Sequence, residues 1–221
     1  MSTTDAPTIV LASGNTGKLR EFRHLLADYP VELRPQAAFS VPDIAETGLT
    51  FVENALLKAR NACAHSGNAA IADDSGIEVD ALQGAPGIYS ARFAGAGASD
   101  ADNNALLLER LRSVPERERT ARFQCLLVYL RHSEDPTPVI CQGTWEGRIL
   151  SAPSGANGFG YDPLFWVPET GCSSAELDSS VKNTLSHRAR AMQQLLQHLQ
   201  QRPQLLPRAP APAAADSDAR R

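Results

Sequence analysis

What the chain lacks narrows it first. Only 4 of its 221 residues are cysteine, and no two form a CxxC pair. Disulfide and zinc frameworks need denser spacing. Cys63, Cys125, Cys141 and Cys172 are therefore expected as reduced, mostly buried thiols. No apolar run approaches the ~20 residues of a membrane span. The opening MSTTDAPTIVLASG has no basic stretch ahead of its short apolar segment. The expectation is a cytoplasmic protein without a membrane partner. Basic excess is absent too: 21 Lys and Arg stand against 25 Asp and Glu, a formal net charge of −4. Nucleic acid is not an expected partner. A small anion is still compatible, because local charge binds it.

What is present is an ordinary globular composition, 43% hydrophobic and 21% charged, with enough chain for a core. Residues 8–13, TIVLAS, read as a short buried strand. After GNTGK, Leu19, Phe22, Leu25 and Leu26 recur at helical spacing. Thr50 and Glu53 match a capping box that opens a second helix. AAIA, ending in Asp73 and Asp74, and IEVDAL read as two strands, the second closed by the turn residues GAPG. Residues 101–112 read as a helix. RFQCLLVYL and PVICQGTW read as strands joined by the polar EDPTP, a hairpin; residues 180–201 carry a last helical stripe. Intermixed strands and helices with hairpins predict an α/β fold built on a mixed sheet. One domain is expected over residues 1–202. Residues 203–221 are rich in Pro and Ala without core periodicity, the composition of a disordered tail.

Four segments carry chemistry. SGNTGK (Ser13, Gly14, Asn15, Thr16, Gly17, Lys18) sets two glycines and a lysine before a helix. Free N–H groups at a helix start attract anions; the same residues also suit a plain turn with a solvated lysine. The Walker pattern fails, since Ala12 stands five before Gly17 and Leu19 follows the lysine. Asp73 and Asp74 are adjacent carboxylates that repel unless a cation or hydrogen bonds compensate. Magnesium held with substrate phosphates is one solution, an Asp-Ser-Gly turn the other. Glu46 is either a further carboxylate for that ion or a solvated loop acid. GFGYDP sets Phe159, Gly160, Tyr161 and Asp162 together; either aromatic could stack on a flat ring. KNTLSHRAR places Lys182, Ser186 and Arg190 four apart, with His187 and Arg188 as candidate donors to a ring carbonyl.

Taken in order, SGNTGK, ETGLTFVENALLKA, IADDSGIEVDAL, GAPGIYSAR, GFGYDP and KNTLSHR resemble the inosine triphosphate pyrophosphatase family, over about residues 9–199. Its bacterial members are the non-canonical purine nucleoside triphosphate pyrophosphatases. The resemblance implies a long mixed central sheet flanked by helices, two lobes with a substrate cleft between them, and a homodimer. It implies Mg2+-dependent hydrolysis of inosine, deoxyinosine or xanthosine triphosphate to the monophosphate plus pyrophosphate, removing deaminated purines from the nucleotide pool. By the same resemblance residues 13–18 form the phosphate loop. Asp74 is general base and metal ligand, and Ser75 touches substrate. Phe159, Gly160, Tyr161 and Asp162 line the base pocket, and Lys182, His187 and Arg188 complete substrate binding. One position departs: the acid the family often has before Glu46 is Ala45 here. Either Glu46 serves as the second magnesium ligand or water fills that place. The septum-formation (Maf-like) nucleotide pyrophosphatases also open on a VLAS-type strand, but GNTGK and GFGYDP favour the first family.

Overall fold

The computed structural model describes residues 6–207. Its centre is a seven-stranded mixed sheet. In chain order the strands are β1 (Thr8–Leu11), β2 (Glu32–Pro35), β3 (Ala69–Val79), β4 (Thr120–Leu130), β5 (Val139–Ile149), β6 (Phe165–Val167) and β7 (Cys172–Ser173). In space they run β2-β1-β3-β4-β5-β6-β7. β1 is parallel to β2 and β3, and every other pairing is antiparallel. The helices are α1 (Thr16–Leu25), α2 (Phe51–Ser66), α3 (Asp100–Arg110), α4 (Ser179–Leu185) and α5 (His187–Gln201).

Strand alternation sorts the core. Ile9, Leu11, Ala69, Ile71, Leu127 and Tyr129 face one way and pack with Phe22 of α1 and Met192, Leu195 and Leu199 of α5. Val10, Ala12, Ala70, Ala72, Val128 and Leu130 face the other way, onto Ala55, Ala59 and Ala62 of α2. The small side chains on that face let helix and sheet approach closely. A third cluster, with Leu107, Leu111, Trp145, Leu164 and Phe165, fills the far end of the sheet under α3. The chain thus has separate packing centres at the two ends of its sheet.

The capping box at Thr50 and Glu53 is present and starts α2. The hairpin of β4 and β5 is as expected. Three expectations change. AAIA and IEV are one strand: β3 runs unbroken through Asp73 and Asp74, whose ladder partners are Leu127 and Leu126. The paired acids do not break the strand because each finds compensating partners on its own face. The last helical stripe is two helices, since Ser186 is extended (ψ 158°) and its side chain caps the N-terminus of α5. Lys182, Ser186 and Arg190 therefore do not share one continuous helix. Finally, the packed chain passes residue 202: Pro203–Leu205 form a helical turn, Leu205 is buried, and the Tyr129 hydroxyl donates to the Leu205 carbonyl. The remainder of the expected tail, residues 208–221, lies outside the described residues.

Candidate active site

Continuity of β3 decides where the two acids point. Asp73 continues the row of Ile71, toward α1 and α5. Asp74 continues the row of Ala72, toward α2. Adjacent residues thus acquire different neighbours by pleat alone.

Asp73 is fully buried. Its Oδ2 lies 2.9 Å from Lys18 Nζ and 3.4 Å from Arg188 Nε, and accepts from Ser75 Oγ at 3.0 Å. Burial pushes its carboxyl up, but Lys18, Arg188 and Lys58 outweigh that and hold it well below the usual carboxylate range. Arg188, buried at the start of α5, also donates to Glu21 Oε2 at 3.1 Å and Ser75 Oγ at 3.0 Å. Although burial opposes its charge, Glu21 and Asp73 keep it charged.

Asp74 accepts from Lys58 Nζ at 2.9 Å and from Asn54 Nδ2 at 3.2 Å. Burial raises its carboxyl, and Glu46 adds to that against the pull of Lys58. Lys58 also reaches Glu46 Oε1 at 2.9 Å. Burial works against its charge, yet Asp74, Asp73 and Glu46 hold it protonated. Glu46 meets Arg92 Nη1 at 3.4 Å. The result is a row of alternating sign: Asp74, Lys58, Glu46, Arg92. Burial raises Glu46, but Lys58 and Arg92 bring it below its ordinary value.

Residues 13–18 hold a helix start, but only Gly14 of the two glycines precedes it: Thr16, Gly17 and Lys18 already belong to α1. Asn15 caps α1, accepting from the Lys18 N–H at 3.0 Å, while Ser13 Oγ accepts from the Asn15 N–H. Thr16 is the first helical residue, and Gly14 has open space around it. A Cβ at Gly17 would come within 3.1 Å of the Phe159 ring, so the start of α1 and the GFGYDP segment touch there.

In GFGYDP, Asp162 is a buried hub. It accepts from Lys182 Nζ at 2.6 Å, the Phe159 N–H at 2.9 Å and Ser174 Oγ at 2.9 Å. Lys182 and Arg188 each sit 5.2 Å from the Phe159 ring centroid, a pair of cation–π contacts. The α4–α5 break at Ser186 is what lets both cations face one ring. Tyr161 is buried and its hydroxyl donates to the Ser90 carbonyl at 2.8 Å, which leaves Phe159 as the more open aromatic. Gly160 is clamped from α3, its N–H by Asp100 at 2.6 Å and its carbonyl by Asn104 at 2.9 Å. His187 is buried, stacked 4.8 Å from Phe123, and its Nδ1 has no hydrogen-bond partner among the described residues. Burial, reinforced by Arg188 and Lys182, depresses its pKa well below the ordinary value, so it is neutral.

Two cavities result. One, of about 270 Å³, is lined by Ser13, Lys18, Glu46, Lys58, Asp74 and Arg92 among others. The second, of about 140 Å³, is lined by Phe159, Tyr161, Asp162, Lys182, His187 and Arg188 among others. They share Lys18, Ser75 and Ala91. One chamber is charged, the other aromatic, and they meet at Lys18 in the first turn of α1. Asn54, Lys58, Glu21 and Arg92 were not singled out from the sequence. Asn54 and Lys58 left little signal, being two of several polar residues of α2. Glu21 and Arg92 left none, since a lone charge on an amphipathic segment is ordinary.

Among the described residues no three His, Cys, Asp or Glu side chains form a metal cluster. Asp74 and Glu46 do converge on a single cation, the Lys58 ammonium. Two carboxylates so placed fit a magnesium ion, which takes one or two carboxylates and completes its shell with water and phosphate. Ala45 offers no ligand atom on its side chain.

Residues 9–198 match the Ham1 family. The dITP/XTP pyrophosphatase of Vibrio cholerae is 56% identical over 193 residues, 87% of this chain and 96% of that protein. The dITP/XTP pyrophosphatase of Thioalkalivibrio sulfidiphilus is 57% identical over 194 residues, covering 88% and 99%. Among solved structures, a HAM1 protein from Coxiella burnetii superposes with a TM-score of 0.83 at 48% identity, covering 88% of this chain and 99% of that one. A nucleoside-triphosphatase / dITP/XTP pyrophosphatase from Mycobacterium abscessus gives a TM-score of 0.69 at 42% identity, covering 86% and 98%.

Proposed function

The chain belongs to the Ham1 family, and from that premise we propose that it hydrolyses non-canonical purine nucleoside triphosphates (those of inosine, deoxyinosine and xanthosine) to the monophosphate and pyrophosphate. The observation that carries this is the two-chambered cleft: Asp74 lies on the wall of a cation-lined cavity that joins an aromatic one at Lys18, Ser75 and Ala91. A nucleoside triphosphate has that same division, a flat ring at one end and a polyanion at the other.

In this reading the purine lies against Phe159, and the α-phosphate near Lys18 and Ser75. Water attacks the α-phosphorus. An O–P bond forms, the α–β bridging P–O bond breaks, and pyrophosphate leaves with the electron pair. The water proton passes to the Asp74 carboxylate, which burial makes a stronger base than a surface aspartate. Lys18, Lys58 and the N-terminus of α1 offset phosphate charge, the main requirement of such transfers. Asp74 and Glu46 would hold Mg2+, which when bound supplies further charge neutralisation on the phosphates.

A donor aimed at the purine 6-carbonyl would accept hypoxanthine and xanthine and refuse adenine; such a hydrogen bond can discriminate by ~10⁴-fold. The N–H groups of Phe159 and Gly160 are already given to Asp162 and Asp100. That favours His187 and the remaining N–H groups of Arg188. The reading also includes a homodimer and a cytoplasmic location, with no nucleic-acid or membrane partner. The homodimer and the location rest on the family resemblance, and the lack of a nucleic-acid partner on the net charge of −4; among the described residues no helix is long and apolar enough to cross a membrane.

The test is product analysis with inosine, xanthosine, guanosine and adenosine triphosphates in Mg2+, pyrophosphate and orthophosphate being measured separately. Fast pyrophosphate release from the first two alone is expected, and its loss on chelation. Orthophosphate would mean that another bond is cut. Binding without product would make the protein a nucleotide sensor.

A further inference from the structure

GAPGIYSAR is the one family motif without a role so far. Residues Gly87–Arg92 form a helical turn pressed against β3 at Gly76, where a Cβ would stand 2.3 Å from the Gly87 carbonyl and 2.5 Å from Ser90 Oγ. Ser90 Oγ accepts from the Ile77 N–H at 2.9 Å and donates to the Gly87 carbonyl. The Tyr161 hydroxyl holds the Ser90 carbonyl, and Asn103 holds that of Ala91 at 3.3 Å. So short a segment fastened at so many points is a rigid mount. Arg92 is its last residue.

Three cationic side chains line the charged chamber: Lys18, Lys58 and Arg92. They are not equally committed. Lys18 is 2.9 Å from buried Asp73, and Lys58 is 2.9 Å from each of two carboxylates. Among the described residues Arg92 has one ion pair, at 3.4 Å with Glu46, and its side chain is 36% exposed. Its guanidinium is steadied over the Tyr89 ring at 5.2 Å. Position separates them too. Lys18 borders both chambers, whereas Arg92 borders only the charged one, beyond Lys58 and Glu46.

Resting on the proposed reaction, we infer that Arg92 binds the terminal phosphates of the substrate and then the departing pyrophosphate. With the purine in the aromatic chamber and the α-phosphate at Lys18 and Ser75, the β- and γ-phosphates extend along the alternating row toward Arg92. A guanidinium offers a planar fork matched to phosphate oxygens, and this one has N–H groups to spare. It would carry the pyrophosphate as the α–β bond breaks, so Arg92 is assigned as a leaving-group ligand.

The experiment uses the full chain with Mg2+ and compares wild type with Arg92→Gln and Arg92→Lys. Inhibition of inosine triphosphate hydrolysis is measured with pyrophosphate and, separately, with inosine monophosphate. In Arg92→Gln the inhibition constant for pyrophosphate should rise at least about tenfold, the worth of a charged hydrogen bond, while that for the monophosphate stays within about twofold. Arg92→Lys, which keeps charge and loses the fork, should fall between. Melting curves establish that each variant is folded. Undiminished pyrophosphate inhibition of a folded Arg92→Gln, whatever its kcat, overturns the inference and leaves the proposed reaction standing. A wild-type protein that releases no pyrophosphate removes both.

Discussion

The Lys18 ammonium lies 2.9 Å from Oδ2 of Asp73, whose carboxylate is wholly buried. This ion pair ties the start of α1 to the middle of β3, and Arg188 joins it from α5. Lys18 is thus no free charge awaiting phosphate. It is held in place by an acid that cannot leave, with its position at the junction of both chambers set before any ligand arrives. Preorganisation of that kind spares the site reorganisation during reaction.

Asp73→Asn should therefore act on stability. Removing one partner of a buried charge cluster costs on the order of 3 kcal/mol, since Lys18 and Arg188 lose their common acceptor. Urea unfolding of the variant should show a lower midpoint with an unchanged slope. An unchanged midpoint would mean Glu21 alone satisfies Arg188.

Asp74→Asn should do the reverse. Burial already works against the Asp74 charge, so the amide should leave folding nearly unaffected. As the general base it should lower kcat by at least ~100-fold. Near-normal pyrophosphate release from a folded Asp74→Asn would end that assignment.

His187 gives a pH signature. Its folded-state pKa is depressed, so above its ordinary value of 6.5 both folded and unfolded forms are neutral. As pH falls through 6.5 the unfolded imidazole takes up a proton that the folded one refuses, and stability declines. Between about pH 7.5 and 5 the wild type should lose more Tm than His187→Gln does. Parallel Tm profiles would contradict a buried neutral imidazole.

Arg188→Ala should raise KM for inosine triphosphate and lower Tm together, because the same guanidinium holds Glu21, Asp73 and Ser75. Steady-state kinetics beside a melting curve separates this from a pure binding residue, which would leave Tm alone.

Two truncations test the end of the packed chain. Leu205 is 7% exposed and its carbonyl accepts from Tyr129. A chain ending at 202 should be less stable than one ending at 207 by about 2 kcal/mol or more, the scale of a lost core leucine. Equal melting temperatures would place the boundary at 202 after all.

Much of the fold was legible because it rests on local signals. The apolar run at Ile9, the capping box at Thr50 and Glu53, and the run apolar on both faces in RFQCLLVYL each name an element by its own residues. Less legible were β2, β6 and β7, at 4, 3 and 2 residues too short to show periodicity. The break at Ser186 was hidden, since its cap bond to Ala189 is invisible inside an otherwise helical pattern.

Residue types and their order alone determined that a glycine-bearing helix start, a pair of aspartates, a glycine-aromatic loop and a basic segment occur in one chain. Which of those groups meet was decided only in three dimensions. Asp73 and Asp74 are neighbours in sequence and identical in chemistry. The pleat of an unbroken β3 turns one toward Lys18 and Arg188 and the other toward Asn54 and Lys58. Against its burial, Lys18 and Arg188 lower the Asp73 carboxyl, whereas burial and Glu46 raise Asp74 against the pull of Lys58 and Asn54. Charge compensation is a property of what surrounds a group, and for these two aspartates the surroundings come from three different helices, α1 and α5 for Asp73 and α2 for Asp74.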